Sequence, residues 1–313
     1  RGIEVKMLKL VLVVALMLLV MPQAMAYTID GNLSDWGITW DELRDGLYPN
    51  CNASAWLPND GVFFIVEDNR DPNYGSASDG YPTGVHIYGR GSDYQKYDEP
   101  LLSGGVQPIG KEYYDIEAMY IDEDAKYIYV AIITTAPSTS IGDLALNLDG
   151  LSNTGGYGYE YGIVLNTKVP GVSQFDIYWT PNDNNWTKTT FDPAKPGKIN
   201  FSSNPIKVGT ALGNYSVAKD SEGNYIRDID DGTTRWNYTN YIIELRIDKT
   251  DVGMSGKTLG GTPRAVLSKF HIANTGECGN DFTPQFPISE FLSILIPAGI
   301  LLGSYYYRNR KKR

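Results

Sequence analysis

The sequence has few of the residues on which metal centres and nucleophilic enzymes depend. Its 313 residues include only two cysteines and two histidines. That scarcity excludes a His-rich metal site and makes a Ser-His-Asp or Cys-His enzyme a poor fit. Positive charge is also scarce, because 27 Lys and Arg face 37 Asp and Glu, for a net charge of −10. Phosphate binding needs clustered Lys and Arg, so nucleic acid is not an expected partner.

Long amphipathic helical patterns are missing as well, since residues 27–283 contain none beyond two turns. Segments rich in β-branched and aromatic residues alternate there with turns built from Gly, Asn, Asp and Pro. The segments are 114–121, 126–134, 142–148, 159–165, 174–180 and 238–247. Their spacing predicts an all-β fold, an antiparallel, jelly-roll-like β-sandwich. We expect an N-terminal signal helix and a C-terminal transmembrane helix to flank it.

The N-terminal residues have the form of a secretory signal. Lys6 and Lys9 precede an apolar run over 10–21, and Ala24-Met25-Ala26 has the small-residue spacing of a cleavage site. The run is shorter than the roughly 20 residues that a transmembrane helix needs. We therefore predict that residues 1–26 are a signal peptide cleaved after Ala26, with an uncleaved anchor as the alternative.

A three-part pattern stands at the C-terminal end. Pro284-Gln285-Phe286-Pro287 is followed by an apolar segment, 291–307, and by the basic tail 308–313, which is expected on the cytoplasmic side. The pattern resembles the PEF-CTERM sorting signal of archaeal surface proteins, whose motif reads Pro-Glu-Phe-Pro. The resemblance implies recognition by an archaeosortase-like enzyme, removal of the helix and transfer to a lipid. Because Gln285 replaces the family's Glu, a simple membrane anchor is the alternative.

These signals divide the chain into a signal peptide (1–26), an exported domain (27–283) and a sorting or anchor segment (284–313). The exported domain contains both cysteines, and an extracellular location favours a disulfide between Cys51 and Cys278, with two free thiols as the alternative. It also contains six sequons, some of which chance explains. The sequons begin at Asn32, Asn52, Asn185, Asn200, Asn214 and Asn237.

Two short stretches resemble family-nine-like carbohydrate-binding domains. Asp30-Gly31, followed by Asp35-Trp36, is similar to the opening of those domains, and the strand pair 118–122 and 127–131 is similar to theirs. The resemblance implies a β-sandwich. Independently, Trp179, Trp186 and Asp183 are candidate sugar-binding residues, because aromatic faces stack on pyranose rings while polar side chains hold hydroxyls. Burial in the core is the alternative for the tryptophans.

Two acidic turns are candidate calcium sites. Calcium takes six to eight oxygen ligands, and concentrated carboxylates repel one another unless a cation lies between them. One turn contains Asp228, Asp230 and Asp231, and the other contains Asp149 and Asn153. Neither fits an EF-hand loop, and a solvated acidic turn is the alternative for each. Calcium is the one cofactor that the sequence suggests.

Evidence for catalysis is thin, because no common catalytic motif is present. A glycosidase needs only two carboxylates about 5–10 Å apart, but Glu117, Glu160 and Glu244 fall in predicted strands and are expected to face outward. We predict a non-catalytic cell-surface or extracellular-matrix protein whose sandwich serves binding or assembly. The alternatives are a carbohydrate-binding module for envelope polysaccharide and then a glycoside-active enzyme. Expected partners are the membrane, polysaccharide, other surface proteins and further copies of the chain.

Overall fold

The computed structural model describes most of residues 27–283. The described residues are 26–41, 43, 52–70, 83–96, 116–149, 151, 153–188, 196–225, 227–229, 237–259, 264–269, 272–273 and 276–277. Both cysteines, residues 1–25 of the predicted signal peptide, the predicted sorting motif Pro284-Gln285-Phe286-Pro287 and the C-terminal apolar segment lie outside them. Within the described part of the chain, no helix is long and apolar enough to cross a membrane.

The described structure is mostly β-strand, which confirms the all-β prediction. The strands are β1 (Phe63–Arg70), β2 (Thr83–Arg90), β3 (Asp93–Lys96), β4 (Ile116–Glu123), β5 (Tyr127–Thr134), β6 (Ile141–Asn147), β7 (Tyr161–Ile163), β8 (Asp176–Trp179), β9 (Trp186–Lys188), β10 (Pro196–Ile199), β11 (Ile206–Thr210), β12 (Leu212–Val217), β13 (Arg227–Ile229), β14 (Asn237–Thr239), β15 (Tyr241–Asp248), β16 (Arg264–Lys269), β17 (Ile272–Ala273) and β18 (Gly276–Glu277). Four short 3-10 turns accompany them: Leu33–Trp36, Ala53–Trp56, Asp183–Asn185 and Phe201–Ser203.

Two antiparallel sheets pack against each other around one main core. The larger sheet has the order β12-β15-β5-β4-β1-β2-β3, and the smaller has the order β11-β8-β7-β6-β16. The inward-facing residues of both sheets form one cluster of buried side chains, whose members include Met119, Ile132, Ile243, Leu144, Ile163 and Ile177. Strand side chains alternate between faces, so each sheet has a second face that needs its own cover.

The N-terminal segment covers the outer face of the seven-stranded sheet. Residues 27–41, 43 and 52–57 place their aromatic and aliphatic side chains on it, and the fully buried Trp36 and Trp56 are the largest of them. The Tyr27 ring stacks on Trp36 at 4.0 Å between centroids. We call residues 27–41, 43 and 52–57 the N-terminal layer. Trp40 is buried in the same layer.

Glu244 on β15 holds this layer to the sheet. Its carboxylate accepts the backbone N–H groups of Asp30 and Gly31 on one oxygen and the indole N–H of Trp36 at 3.0 Å on the other. Burial raises its pKa to about 7, against the opposing effect of these donors. The expectation that Glu244 faces solvent is wrong, because the N-terminal layer makes the outer face of this sheet a second interior.

The outer face of the five-stranded sheet is covered by the β9–β10 hairpin. Trp186 and Ile199 pack there against Tyr178 of β8. The buried Asp143 on β6 points to the same side, where its two oxygens accept backbone N–H groups from Leu165 at 3.0 Å and Ile199 at 2.9 Å. Burial raises the pKa of Asp143 to about 6. This carboxylate therefore ties the hairpin to the sheet.

Candidate functional site

An apolar row crosses three strands at one end of the five-stranded sheet. Trp179 of β8 lies directly opposite Tyr161 of β7 on one side and Ile206 of β11 on the other. Residues opposite each other in antiparallel strands share a face, so the three side chains stand side by side. Trp179 is 40% exposed and Ile206 56% exposed, whereas Tyr161 packs partly into the core. We call these three residues the Trp179 row.

The strand period places Trp179 at the rim of the core. Ile177, two residues earlier, faces the same side and is fully buried, so Trp179 continues that face beyond the part that the other sheet covers. The end of β8 is fixed by the buried Thr180, whose N–H donates to Glu160 O at 2.7 Å and whose hydroxyl donates to Tyr159 O at 3.1 Å. The exposed indole is therefore held on a rigid strand end.

A carboxylate lies on the same face as the row. Asp251 packs over Gly209 of β11, where a Cβ on the glycine would overlap the carboxyl group. Gly209 lies opposite Ile177, so Asp251 stands on the face that also carries Trp179. Among the described residues, none donates a side-chain hydrogen bond to the Asp251 carboxylate. Burial, and then Asp248, raise its pKa. Asp251 is thus an acceptor available to a bound molecule.

The loop that carries Asp251 is fixed by a buried lysine. Lys249 Nζ lies 2.6 Å from Glu123 Oε2 and donates to the carbonyl oxygens of Asp124 at 2.6 Å and Lys257 at 3.0 Å. The other oxygen of Glu123 accepts the Leu259 N–H at 2.7 Å. An ammonium with three acceptors is saturated, so Lys249 positions the loop and has no proton to offer a ligand.

A pair of acidic side chains adjoins the Tyr161 end of the row. The Thr154 hydroxyl lies 2.9 Å from both oxygens of Asp149 and 2.7 Å from Glu160 Oε1. Burial, and then the hydrogen bond with Asp149, raise the pKa of Glu160 to about 7. For Asp149, the Leu151 N–H, Glu160 and Thr154 outweigh burial and lower the pKa. Glu160 therefore keeps its proton to a higher pH than an ordinary glutamate, next to a carboxyl that ionises more readily than usual.

The structure separates the three predicted sugar-binding residues. Trp179 is exposed as a stacking residue must be, but Trp186 is 3% exposed within the cluster under the β9–β10 hairpin. The prediction for Trp186 is therefore wrong, because the polar residues around it form the turn that buries it. Asp183 is exposed, but its Oδ1 accepts the Tyr157 N–H at 2.7 Å, which stabilises the neighbouring turn.

The residues that accompany Trp179 were missed by sequence reasoning. Tyr161 and Ile206 lie 18 residues before and 27 after it, and Asp251 comes from a loop still further along the chain. Antiparallel register brings them together, and register is not visible in a local pattern. The one local signal was an aromatic residue placed two positions after a buried strand residue, at a strand end.

The candidate calcium residues take different positions. Asp149 and Asn153 are exposed, and the Asp149 carboxylate accepts hydrogen bonds within its own turn from the Leu151 N–H at 2.8 Å and from Thr154. Asp228 lies on β13, its side chain outside the described part, and Asp230 and Asp231 also lie outside it. Among the described residues, no group of three or more His, Cys, Asp or Glu is placed to hold a metal ion.

Buried acids in the strands serve the fold. Glu117 on β4 is fully buried, so the expectation that it faces outward is wrong, as it is for Glu244. Glu160 is half-buried and also engaged, since its Oε2 accepts the Leu148 N–H at 2.9 Å. A carboxylate that accepts a backbone N–H group stabilises the loop or layer that donates it.

Comparison with known proteins leaves the family of the chain open. A scan against protein-family models finds none that matches, and a search of curated proteins finds no match.

Proposed function

We propose that this chain is a non-catalytic cell-surface protein that works by binding. It would be exported by residues 1–26 and held at the membrane, or linked to a lipid, through residues 284–313. Between these segments, a jelly-roll-like sandwich would present the Trp179 row to the outside. Support for export and anchoring comes from the sequence patterns at the two ends, and support for binding comes from the row.

The observation that carries the binding proposal is the exposure of the Trp179 row beside an unused acceptor. Elsewhere in the described residues, large aromatic side chains are mostly buried, but Trp179 remains 40% exposed on a strand end that hydrogen bonds hold rigid. Asp251 stands on the same face with its carboxylate unengaged. A rigid aromatic surface beside a free acceptor suits a ligand with flat apolar faces and hydroxyl groups.

Polysaccharide is the ligand class that this arrangement favours. Neighbouring strands are about 4.8 Å apart, so the row from Tyr161 to Ile206 extends roughly 10 Å across the sheet. That length accommodates consecutive sugar rings, with one ring stacked on Trp179. Asp251 would accept hydrogen bonds from hydroxyls of the stacked sugar.

The two-carboxylate chemistry of a glycosidase has weaker support. Glu160 and Asp149 are the acidic pair nearest the row, but both are hydrogen-bonded to one Thr154 hydroxyl and to backbone N–H groups. Hydrolysis needs one carboxyl that protonates the leaving group and another that acts from the opposite side of the bond. Two carboxyls that accept from the same Thr154 hydroxyl lie next to each other, which is a poor arrangement for acting on opposite sides of one bond.

A glycan array probed with the purified chain tests the proposal. We expect binding to a subset of polysaccharides, retained in EDTA because the proposed contacts are ring stacking on Trp179 and hydrogen bonds to Asp251. Loss of binding in EDTA would show that calcium takes part. If the chain binds none of the saccharides and self-associates as its concentration rises, assembly is favoured over saccharide binding as its function. Release of reducing sugar, lost in the Glu160→Gln variant, would contradict the non-catalytic proposal.

A further inference from the structure

Three of the six sequons begin a 3-10 turn in the same way. Asn32, Asn52 and Asn200 each precede such a turn, and each side-chain oxygen accepts the backbone N–H of the serine two residues later. The distances are 3.0 Å for Ser34, 3.2 Å for Ser54 and 3.2 Å for Ser202. The side-chain oxygen of each asparagine thus caps a turn. The hydrogen bonding of the amide nitrogen differs from site to site.

In Asn32 and Asn52 the amide nitrogen is free for modification. Both side chains are exposed, and no described residue accepts a hydrogen bond from either Nδ2. Both asparagines belong to the N-terminal layer, where the turns that they cap bury Trp36 and Trp56 against the seven-stranded sheet. A group attached to either nitrogen would extend into solvent and leave the cap intact.

In Asn185 the amide is part of the fold. The residue is 5% exposed, its Nδ2 donates to Ser203 Oγ at 2.8 Å, and its Oδ1 accepts the Asn182 N–H at 3.0 Å. Its carbonyl also accepts the Asn200 N–H at 2.7 Å, which joins the two turns beside the β9–β10 hairpin. There is no room for a sugar on this nitrogen in the folded domain.

Of the other three sequon asparagines, Asn200 and Asn214 are partly exposed, and the side chain of Asn237 lies outside the described part. The Nδ2 of Asn200 donates to Asn184 O at 2.9 Å, although the residue is half-exposed. Asn214 lies half-buried on β12, beside Gly31 of the N-terminal layer. Asn237 begins β14, with its side chain outside the described part.

We propose that Asn32 and Asn52 carry N-linked glycans and that Asn185 carries none. In the transfer, Nδ2 forms a bond to the anomeric carbon of a glycan carried on a lipid-linked phosphate. The bond from that carbon to the phosphate oxygen breaks, the lipid phosphate leaves, and one Nδ2 proton passes to a base. The glycans would cover the N-terminal layer of one sheet and leave the Trp179 row of the other sheet uncovered. The proposal rests on the export that we propose above.

Glycopeptide mass spectrometry of the full chain, expressed in a secretory host with N-glycosylation, tests the proposal. On exported molecules we expect glycan on Asn32 and Asn52 and unmodified Asn185. Glycan on Asn185, or bare Asn32 and Asn52, would overturn the proposal while leaving the proposed function intact. Absence of the protein from the outside of the cell would contradict the proposed export and overturn both.

Matched variants separate the glycan from the cap. Ser34→Ala and Ser54→Ala each remove a sequon but keep the asparagine cap, and each should lose one glycan on a gel. Asn32→Asp keeps an equivalent cap and should also lose one glycan, with the midpoint of thermal unfolding unchanged for the unglycosylated protein. Asn185→Asp cannot donate to Ser203, so it should leave the number of glycans unchanged and lower the midpoint. A lost glycan in Asn185→Asp would overturn the proposal.

Discussion

At the scale of single residues, buried charges hold loops and layers in place. Glu244 binds the N-terminal layer, Asp143 binds the β9–β10 hairpin, and Lys249 binds the loop that carries Asp251. Each is buried and meets hydrogen-bond partners from distant parts of the chain. Leaving such a buried group without its partner lowers the free energy of unfolding strongly, because the remaining groups then lack a donor or acceptor.

Replacement of Lys249 by methionine should therefore destabilise the protein strongly. The change leaves Glu123 and two carbonyl oxygens without their donor, and breaking a buried pair costs about 3–5 kcal/mol. Urea denaturation measures the free energy of unfolding. Lys257→Met is the matched control, because Lys257 is exposed, and we expect less than about 0.5 kcal/mol for it. Equal effects of the two substitutions would contradict the role assigned to Lys249.

The raised pKa of Glu160 should make stability depend on pH. The pKa of Glu160 rises from an ordinary 4.5 to about 7, because of burial and then of the hydrogen bond with Asp149. Between these values the folded state holds a proton that the unfolded chain releases, so the free energy of unfolding falls as pH rises from about 4.5 to about 7.

The Glu160→Gln variant tests the source of that dependence. Gln resembles the protonated acid, so the variant should lose less stability than the wild type between pH 4.5 and pH 7. Urea denaturation at both pH values gives the comparison. Glu222→Gln, in an exposed turn, is the control and should follow the wild type. A Glu160→Gln variant with the pH dependence of the wild type would show that the protonation of Glu160 makes no contribution.

At the scale of the elements, the two tryptophan environments have opposite roles. Trp36 closes the N-terminal layer onto the seven-stranded sheet, stacking on Tyr27 and donating to Glu244. Trp179 stands at a strand end, where little of the fold depends on its ring. The layer is built from turns and loops, so its stability comes from the side chains that it buries and from the Glu244 contact.

Alanine substitutions should distinguish these two roles. Trp36→Ala removes a fully buried ring and the bond to Glu244, and we expect a loss of about 3–5 kcal/mol in the free energy of unfolding. Trp179→Ala should cost less than about 1 kcal/mol, because the ring lies at the rim of the core and is 40% exposed. Chemical denaturation monitored by circular dichroism measures both. A small loss for Trp36→Ala would mean that the N-terminal layer is not an integral part of the fold.

At the scale of the whole molecule, six of the strands were predictable from local patterns and the site was not. Runs of β-branched and aromatic residues predicted β4, β5, β6, β7, β8 and β15, because alternation and turn residues are local properties. The outward-facing assignment of Glu244 failed because it assumed one solvated face, whereas the N-terminal layer covers that face. Trp179 was found as a local aromatic residue, but Tyr161, Ile206 and Asp251 join it only through sheet register and a distant loop.

The most direct test of the account is an affinity measurement on Trp179→Ala. The full chain is titrated by calorimetry with the polysaccharide that the array identifies, beside Trp179→Ala and the control Tyr225→Ala, which removes an aromatic side chain exposed elsewhere. The account predicts at least about a tenfold weaker affinity for Trp179→Ala, since central aromatic contacts dominate binding energy, and an unchanged affinity for Tyr225→Ala. Wild-type affinity in Trp179→Ala would contradict the claim that the Trp179 row is the binding surface.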